Sequence, residues 1–266
     1  MADKKLKLVL DGTVLGMAIE NKLARTGVYF VIKNLCDSLI LRDDVDLKII
    51  SSIEFKEKII NFYKGHKYED CLDIKDLKFG KEKLNFVMPF HPANKELYKI
   101  KNSKIIQIVY DFSVHFCPEL KNSNIEFEKN ILNSLNSECN AICISKKTKT
   151  DLMSISQIIS DKIGVFYPGL RNDLNNFKNF DFDIKNFLNI PSEADYMLCL
   201  STIEPRKNLN ASLQIFEMVI KKLNSRNLYL VLTGAKGWVD SKKFLNNLAP
   251  ETKEKIRFTG YVQDSY

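Results

Sequence analysis

Short apolar runs alternate with longer amphipathic stretches along this chain, and the alternation predicts strands and helices in turn. Leu6 to Asp11 alternates and predicts a first strand. Gly27 to Leu41 places Val28, Val31, Ile32, Leu35 and Leu39 at helical spacing. Leu47 to Ile50 reads as a second strand, and Phe55 to Phe62 as a helix. Leu84 to Val87 and Ile105 to Val109 read as short buried strands. Ile125 to Leu135 is helical, Ala141 to Ile144 a strand, Lys147 to Ile155 a helix, and Ile163 to Phe166 a closing strand. Strands separated by helices at such intervals imply a parallel sheet covered on both faces.

The stretch from Gly169 to Asp183 is polar and weakly periodic, which suits a linker. The pattern then restarts. Asp195 to Leu200 predicts a strand. Leu209, Leu213, Phe216, Ile220 and Leu223 form one apolar face of a helix. Leu228 to Leu232 is a strand, Ser241 to Leu248 a helix, and Ile256 to Thr259 a strand. The expected division is a first Rossmann-like domain over 1–183 and the beginning of a second over 184–266. Three strands are written in the second unit, fewer than the five or six usual in a doubly wound sheet.

Composition adds bounds rather than chemistry. The chain has 266 residues, 45% hydrophobic and 27% charged, an ordinary globular balance. No apolar run reaches the roughly 20 residues that span a bilayer. The start, Met1-Ala2-Asp3-Lys4-Lys5, lacks the apolar stretch of a signal peptide, so a cytoplasmic protein is expected. Six cysteines without a CxxC pair fit buried thiols in a reducing compartment. The net charge of +7 suits anionic substrates, an anionic membrane face or a solvated surface. The lysines are spread out, with no aromatic–basic array of the nucleic-acid kind.

The most informative segment is Ser201-Thr202-Ile203-Glu204-Pro205-Arg206-Lys207-Asn208, between a predicted strand and a predicted helix. Asn208 suits an N-cap. A helix N-terminus offers free N–H groups and partial positive charge. Arg206 would add a fork of donors and Lys207 a compact charge, together a site for a diphosphate. In an open α/β sheet such a turn lies at the carboxyl end of a strand, where ligands bind. A solvated basic turn fits the same residues.

Glu204-Pro205-Arg206-Lys207-Asn208 resembles the signature that opens the donor domain of family 4 of the retaining glycosyltransferases, enzymes of the two-Rossmann, GT-B type. Leu230 to Trp238, with Gly234 and Lys236 in its turn, resembles the next strand and its glycine-rich exit. Arg257 to Val262 resembles the third strand. Earlier, Arg25-Thr26-Gly27-Val28-Tyr29 resembles the glycine turn on the acceptor side. Tyr110-Asp111, followed by Pro118-Glu119, resembles a His-Asp … Pro-Glu segment, with Tyr110 where histidine is usual. Ile144-Ser145 and Tyr167-Pro168-Gly169 resemble two further turns. The resemblance covers the whole chain and is specific from about Tyr196 onward.

The resemblance implies transfer of a sugar from a nucleoside diphosphate to a glycan or lipid-linked acceptor with retained configuration, in cell-surface polysaccharide assembly. Arg206 and Lys207 would bind the donor diphosphate, with Glu204, Gly234 and Lys236 in the donor-domain turns. Thr26, Gly27 and Tyr110 would lie on the acceptor side, and Asp111 near the reacting hydroxyl. No cofactor is implied and metal independence is expected. The partners are the nucleotide sugar, the acceptor and, peripherally, the inner face of a membrane, with no nucleic acid. The family's Glu-x7-Glu motif would follow Tyr266, so a truncated form, unstable in its second half and with little activity, is expected. The rival expectation is a non-catalytic pseudo-glycosyltransferase acting as a binding module or subunit. A third is another two-Rossmann enzyme, such as a sugar epimerase.

Asp44-Val45-Asp46 and Asp181-Phe182-Asp183 spell DxD, but neither follows a strand end, so solvated loops are expected. His66, His91 and His115 lie far apart, without metal-binding spacing. His115 reads as a loop residue. No GxSxG, Walker loop or GxGxxG after the first strand is present.

Overall fold

The computed structural model describes residues 5–66, 71–73, 83–117, 125–135, 139–170, 183–204, 207–223, 227–234 and 242–262. The chain divides into two compact units, Met1–Arg171 and Asn172–Tyr266. This junction and the one expected at Asp183 bracket 171–182, which lies outside the described residues.

Unit 1 contains strands β1 (Leu6–Asp11), β2 (Val45–Ser51), β3 (Cys71–Asp73), β4 (Asn85–Met88), β5 (Lys104–Val109), β6 (Asn140–Cys143) and β7 (Ile163–Val165). They form one sheet in the order β3-β2-β1-β4-β5-β6-β7. Every pairing in it is parallel. Leu8 stands opposite Leu47 on one side and Asn85 on the other. Strand order therefore reverses between β1 and β4, as in a doubly wound sheet.

The helices of unit 1 are α1 (Thr13–Glu20), α2 (Gly27–Ile40), α3 (Ile53–Tyr63), α4 (Ser113–Phe116), α5 (Ile125–Leu135) and α6 (Lys146–Ile155). Two apolar clusters fill the two faces of the sheet. Leu8, Leu10, Ile49, Val87 and Ile108 meet Leu15, Ile32 and Phe55 on one face. Val9, Phe86, Ile105 and Val109 meet Ile131, Leu135 and Leu152 on the other. Alternate side chains of one strand thus enter opposite layers. The burial of β1 runs without a break from Leu8 to Asp11, as a strand covered on both sides requires. Its alternation in sequence concerns residue type, not exposure.

Helix α1 was not expected from sequence. It carries a glycine in its interior, which lowers helix propensity. Packing explains that glycine: a Cβ on Gly16 would lie 2.3 Å from the Cβ of Phe55 in α3. The three-residue β3 also escaped expectation, being too short to show a period. Burial pushes the thiols of Cys36 and Cys139 up to about 12 and that of Cys143 to about 11. Cys36, Cys71, Cys139 and Cys143 are buried free thiols, while Cys117 and Cys199 are partly exposed.

Unit 2 contains α7 (Ile184–Phe187), β8 (Asp195–Leu200), α8 (Leu209–Leu223), β9 (Leu228–Thr233), α9 (Lys242–Leu245), α10 (Pro250–Lys253) and β10 (Ile256–Gly260). Its three strands are parallel in the order β10-β9-β8. Leu209, Leu213 and Phe216 of α8 bury against Leu230, Leu232 and Ile256. On the other face, Val231 packs with Leu188, Ile190 and Ala194 from the turn after α7. Arg257 binds that turn to β10 by donating to the Asn189 carbonyl from Nε and Nη2, at 3.3 and 3.2 Å. Leu198 and Leu200 of β8 are 59% and 73% exposed, so this face is less covered than either face of the first sheet. Among the described residues, no helix is long and apolar enough to cross a membrane.

Candidate functional site

In unit 1 the strand ends that matter flank the reversal of order. β1 ends at Asp11, which is buried. A buried carboxylate needs donors. The amide and hydroxyl of Thr13 donate to Asp11 Oδ1 at 3.0 and 2.6 Å. Asp11 Oδ2 lies 3.5 Å from Nδ1 of His91, just past the end of β4. Gly12 makes the turn between β1 and α1, donating its amide to the Ile50 carbonyl at 2.7 Å. A Cβ there would come within 2.5 Å of Ile49 Cγ2.

The exit of β5 carries Tyr110 and Asp111. The Tyr110 carbonyl accepts a hydrogen bond from the Thr148 hydroxyl at 3.0 Å. Ser145 caps α6 by accepting from the Thr148 amide at 3.0 Å, which ties the ends of β5 and β6 together. The Tyr110 ring lies edge-on to Phe90, 6.2 Å between centroids. Its hydroxyl is buried with no hydrogen-bond partner among the described residues, and desolvation pushes the phenol pKa up. Asp111 is exposed and accepts from the Ser113 amide at 2.9 Å, opening α4. Glu128 accepts from the Val114 amide at 2.8 Å. Burial, with the nearby Asp111 charge as a smaller cause, raises its pKa.

Thr26 is the residue before α2, and Gly27 begins that helix. A side chain at Gly27 would meet nothing within 4 Å. The fold therefore imposes no steric need for glycine there. His115 is exposed, within α4. Pro118 and Glu119 lie outside the described residues.

In unit 2 the site is made of backbone. The Ser201 amide donates to the Thr233 carbonyl and the Gly234 amide to the Gly260 carbonyl, both at 2.9 Å. The exits of β8, β9 and β10 are thereby gathered at one edge. Gly234 has φ +148, and a Cβ on it would lie 2.1 Å from the Ser201 carbonyl oxygen. Only glycine permits that approach of two chains. After β8 the chain turns through Glu204, which is buried and whose carbonyl accepts from the Lys207 amide at 3.0 Å. Lys207 is exposed. Asn208 adopts φ 51, a left-handed conformation that asparagine tolerates better than most residues. Its carbonyl accepts from the Ala211 amide at 3.0 Å and its side chain from the same amide at 3.4 Å. The amphipathic face of α8 fixes the helix on the sheet with its N-terminus beside Lys207. Arg206 and Lys236 lie outside the described residues.

The structure thus gathers Ser201, Gly234 and Gly260 at one edge of unit 2, with Glu204, Lys207 and Asn208 in the turn that follows β8. In unit 1 it sets Tyr110 and Asp111 at the end of β5 and Thr26 and Gly27 at the start of α2. The Asp11–His91 pair was not expected. Metal-spacing rules set His91 aside; its place just past a buried strand was the signal that could have found it. Among the described residues, no group of three or more His, Cys, Asp or Glu side chains is arranged to hold a metal ion.

No family model matches the sequence, and no curated protein matches it significantly. Solved structures do match in fold. WaaG, a glycosyltransferase involved in lipopolysaccharide biosynthesis, superposes with a TM-score of 0.56 at 11% identity, over 97% of this chain and 70% of that one. A glycosyltransferase from Rickettsia africae ESF-5 gives 0.50 at 13% identity, over 98% and 69%. Anabaena HepE, solved with UDP and glucose, gives 0.50 at 13% identity, over 97% and 70%. At such identities the likeness shows the architecture: an α/β chain of the GT-B kind, with a seven-stranded Rossmann-like unit followed by three parallel strands of a second.

Proposed function

We propose that this protein is a nucleotide-sugar-dependent glycosyltransferase. It transfers a sugar with retention to a hydroxyl of a glycan or lipid-linked acceptor, in polysaccharide assembly at the cytoplasmic face of a membrane. The observation that carries the reading is the turn between β8 and α8. Three parallel strand ends converge there by backbone hydrogen bonds, Gly234 brings two main chains into contact, and a 15-residue helix opens beside Lys207. Such an edge suits a diphosphate, because the first turn of a helix and its dipole favour anions, while the strand-exit amides of Ser201 and Gly234 are used to hold the edge together. The GT-B architecture supports the same reading, as does HepE, which was solved with UDP and glucose.

In this reading Arg206 and Lys207 bind the diphosphate. Negative charge grows on that group as the bond to the sugar breaks. Cations fixed beside it stabilise the transition state more than the bound donor, the kind of binding that accelerates a reaction. The same two charges serve without a metal ion. Glu204 shapes the turn and Lys236 follows the Gly234 exit. Asp111, with Tyr110, Thr26 and Gly27, belongs to the acceptor side in unit 1.

Titration calorimetry against UDP-, GDP- and ADP-sugars tests the reading. One donor class should bind in preference to the others, and labelled donor should give product with retained anomeric configuration. Absence of binding by every nucleotide sugar would overturn it. A second reading, a binding module without turnover, is favoured by the buried Tyr110 phenol at the place where the family resemblance expects histidine. Binding without transfer or donor hydrolysis would select it.

A further inference from the structure

We infer that His91, facing Asp11 at the point where the strand order of unit 1 reverses, receives the acceptor hydroxyl. The inference rests on the proposed function for the identity of its ligand and on separate observations for the site itself.

The place is set by topology. The chain after β1 packs on one face of the sheet and the chain after β4 on the other, the arrangement that in open α/β sheets places ligands beyond the carboxyl ends of the two strands. Asp11 ends the first of these strands and His91 follows the second. The Asp11 side chain is 9% exposed and the His91 side chain 38%. The carboxylate is therefore the buried partner and the imidazole the accessible one.

The two oxygens of Asp11 are divided between tasks. Oδ1 takes both donors of Thr13 and fixes the turn, while Oδ2 faces His91 Nδ1 at 3.5 Å. A carboxylate at Nδ1 favours the tautomer with its proton there. Nε2, on the opposite edge of the ring, is then a lone-pair acceptor. It suits a hydroxyl donor.

The mounting of His91 is rigid. Gln107 is fully buried in β5, and its amide donates to the carbonyls of Met88 at 3.0 Å and Phe90 at 3.3 Å. Phe90 packs at 4.9 Å on Phe127 and edge-on to His91 at 5.2 Å. A side-chain amide is spent in the core to fix the residue that precedes His91. An aromatic flank beside a single oriented polar group is the lining expected of a small-ligand site. A polyhydroxylated ring, with apolar C–H faces and hydroxyl edges, fits both parts.

The chain has three histidines, so their imidazole resonances can be resolved and assigned by substitution. The full-length protein is titrated with glucose, galactose, mannose and N-acetylglucosamine, and its binding to nucleotide sugars is measured on the same preparation. At least one sugar should shift the His91 resonance saturably and leave His66 and His115 in place. Asp11→Asn should weaken that sugar about tenfold, the worth of one oriented hydrogen bond, with nucleotide-sugar affinity unchanged. Where Asp11→Asn fails to fold, His91→Gln at the accessible end should give the same loss by calorimetry. If nucleotide sugars bind and no sugar moves His91, the inference falls and the proposed function stands. If sugars move His91 and no nucleotide sugar binds, the hydroxyl site stands and the transferase reading falls.

Discussion

The turns after β1 and after β9 occupy comparable places in their sheets, yet they are built from different materials. Both use a glycine at a strand exit. At Gly12 the crowding comes from the side chains of Ile49 and Ile59. At Gly234 it comes from the main chain of Ser201 and Thr202. The edge of unit 1 then presents oriented side chains, Asp11 and His91. The edge of unit 2 presents backbone, with charge added by the turn before α8. Side chains can be aimed at one hydroxyl among several, whereas main-chain N–H groups and a helix end suit a diffuse diphosphate charge. The faces differ in the same way. Unit 1 covers its sheet on both sides, and unit 2 leaves Leu198 and Leu200 exposed.

The largest contrast should appear in thiol chemistry. Burial lifts the Cys36 thiol to about 12, which suppresses its thiolate at neutral pH. Mass-spectrometric labelling with iodoacetamide should modify Cys199 of β8 and Cys117 long before Cys36 or Cys139. Early labelling of Cys36 would break the contrast between a doubly covered sheet and a less covered one.

Gly234→Ala comes next. It places a side chain at φ +148 and against a carbonyl, so unit 2 should lose about 3 kcal/mol or more in urea unfolding. Gly12→Ala meets the Cγ2 methyl of buried Ile49, a side-chain group rather than a carbonyl, and has an ordinary φ, so a smaller loss of about 1–3 kcal/mol is expected. Equal losses at the two positions would erase the distinction between backbone and side-chain crowding. The smallest effect belongs to Gly27→Ala, which has open space around it and should leave stability unchanged or raise it by up to about 1 kcal/mol. A large loss there would mean that Gly27 carries a constraint beyond its own surroundings.

Much of the fold was legible because the long elements carry strong periods. Asp195–Leu200, Leu209–Leu223 and Ile125–Leu135 begin and end where the pattern of apolar residues said. Helix α1 was hidden because Gly16 answers to Phe55, a residue of another helix. Strand β3 was hidden by its length. The basic turn before α8 was readable as local sequence, since its parts are neighbours in the chain. The Asp11–His91 pair was not, because the parallel sheet alone brings the ends of β1 and β4 together.

The proposed function requires nucleotide affinity at the turn before α8. The direct measurement is calorimetric titration of the preferred nucleotide sugar into the wild-type protein and into a variant carrying Arg206→Ala and Lys207→Ala, each with its melting temperature recorded. Affinity should fall at least about tenfold with unchanged melting, as expected when two charge-assisted contacts to phosphate are removed. Equal affinity in the two proteins would contradict it.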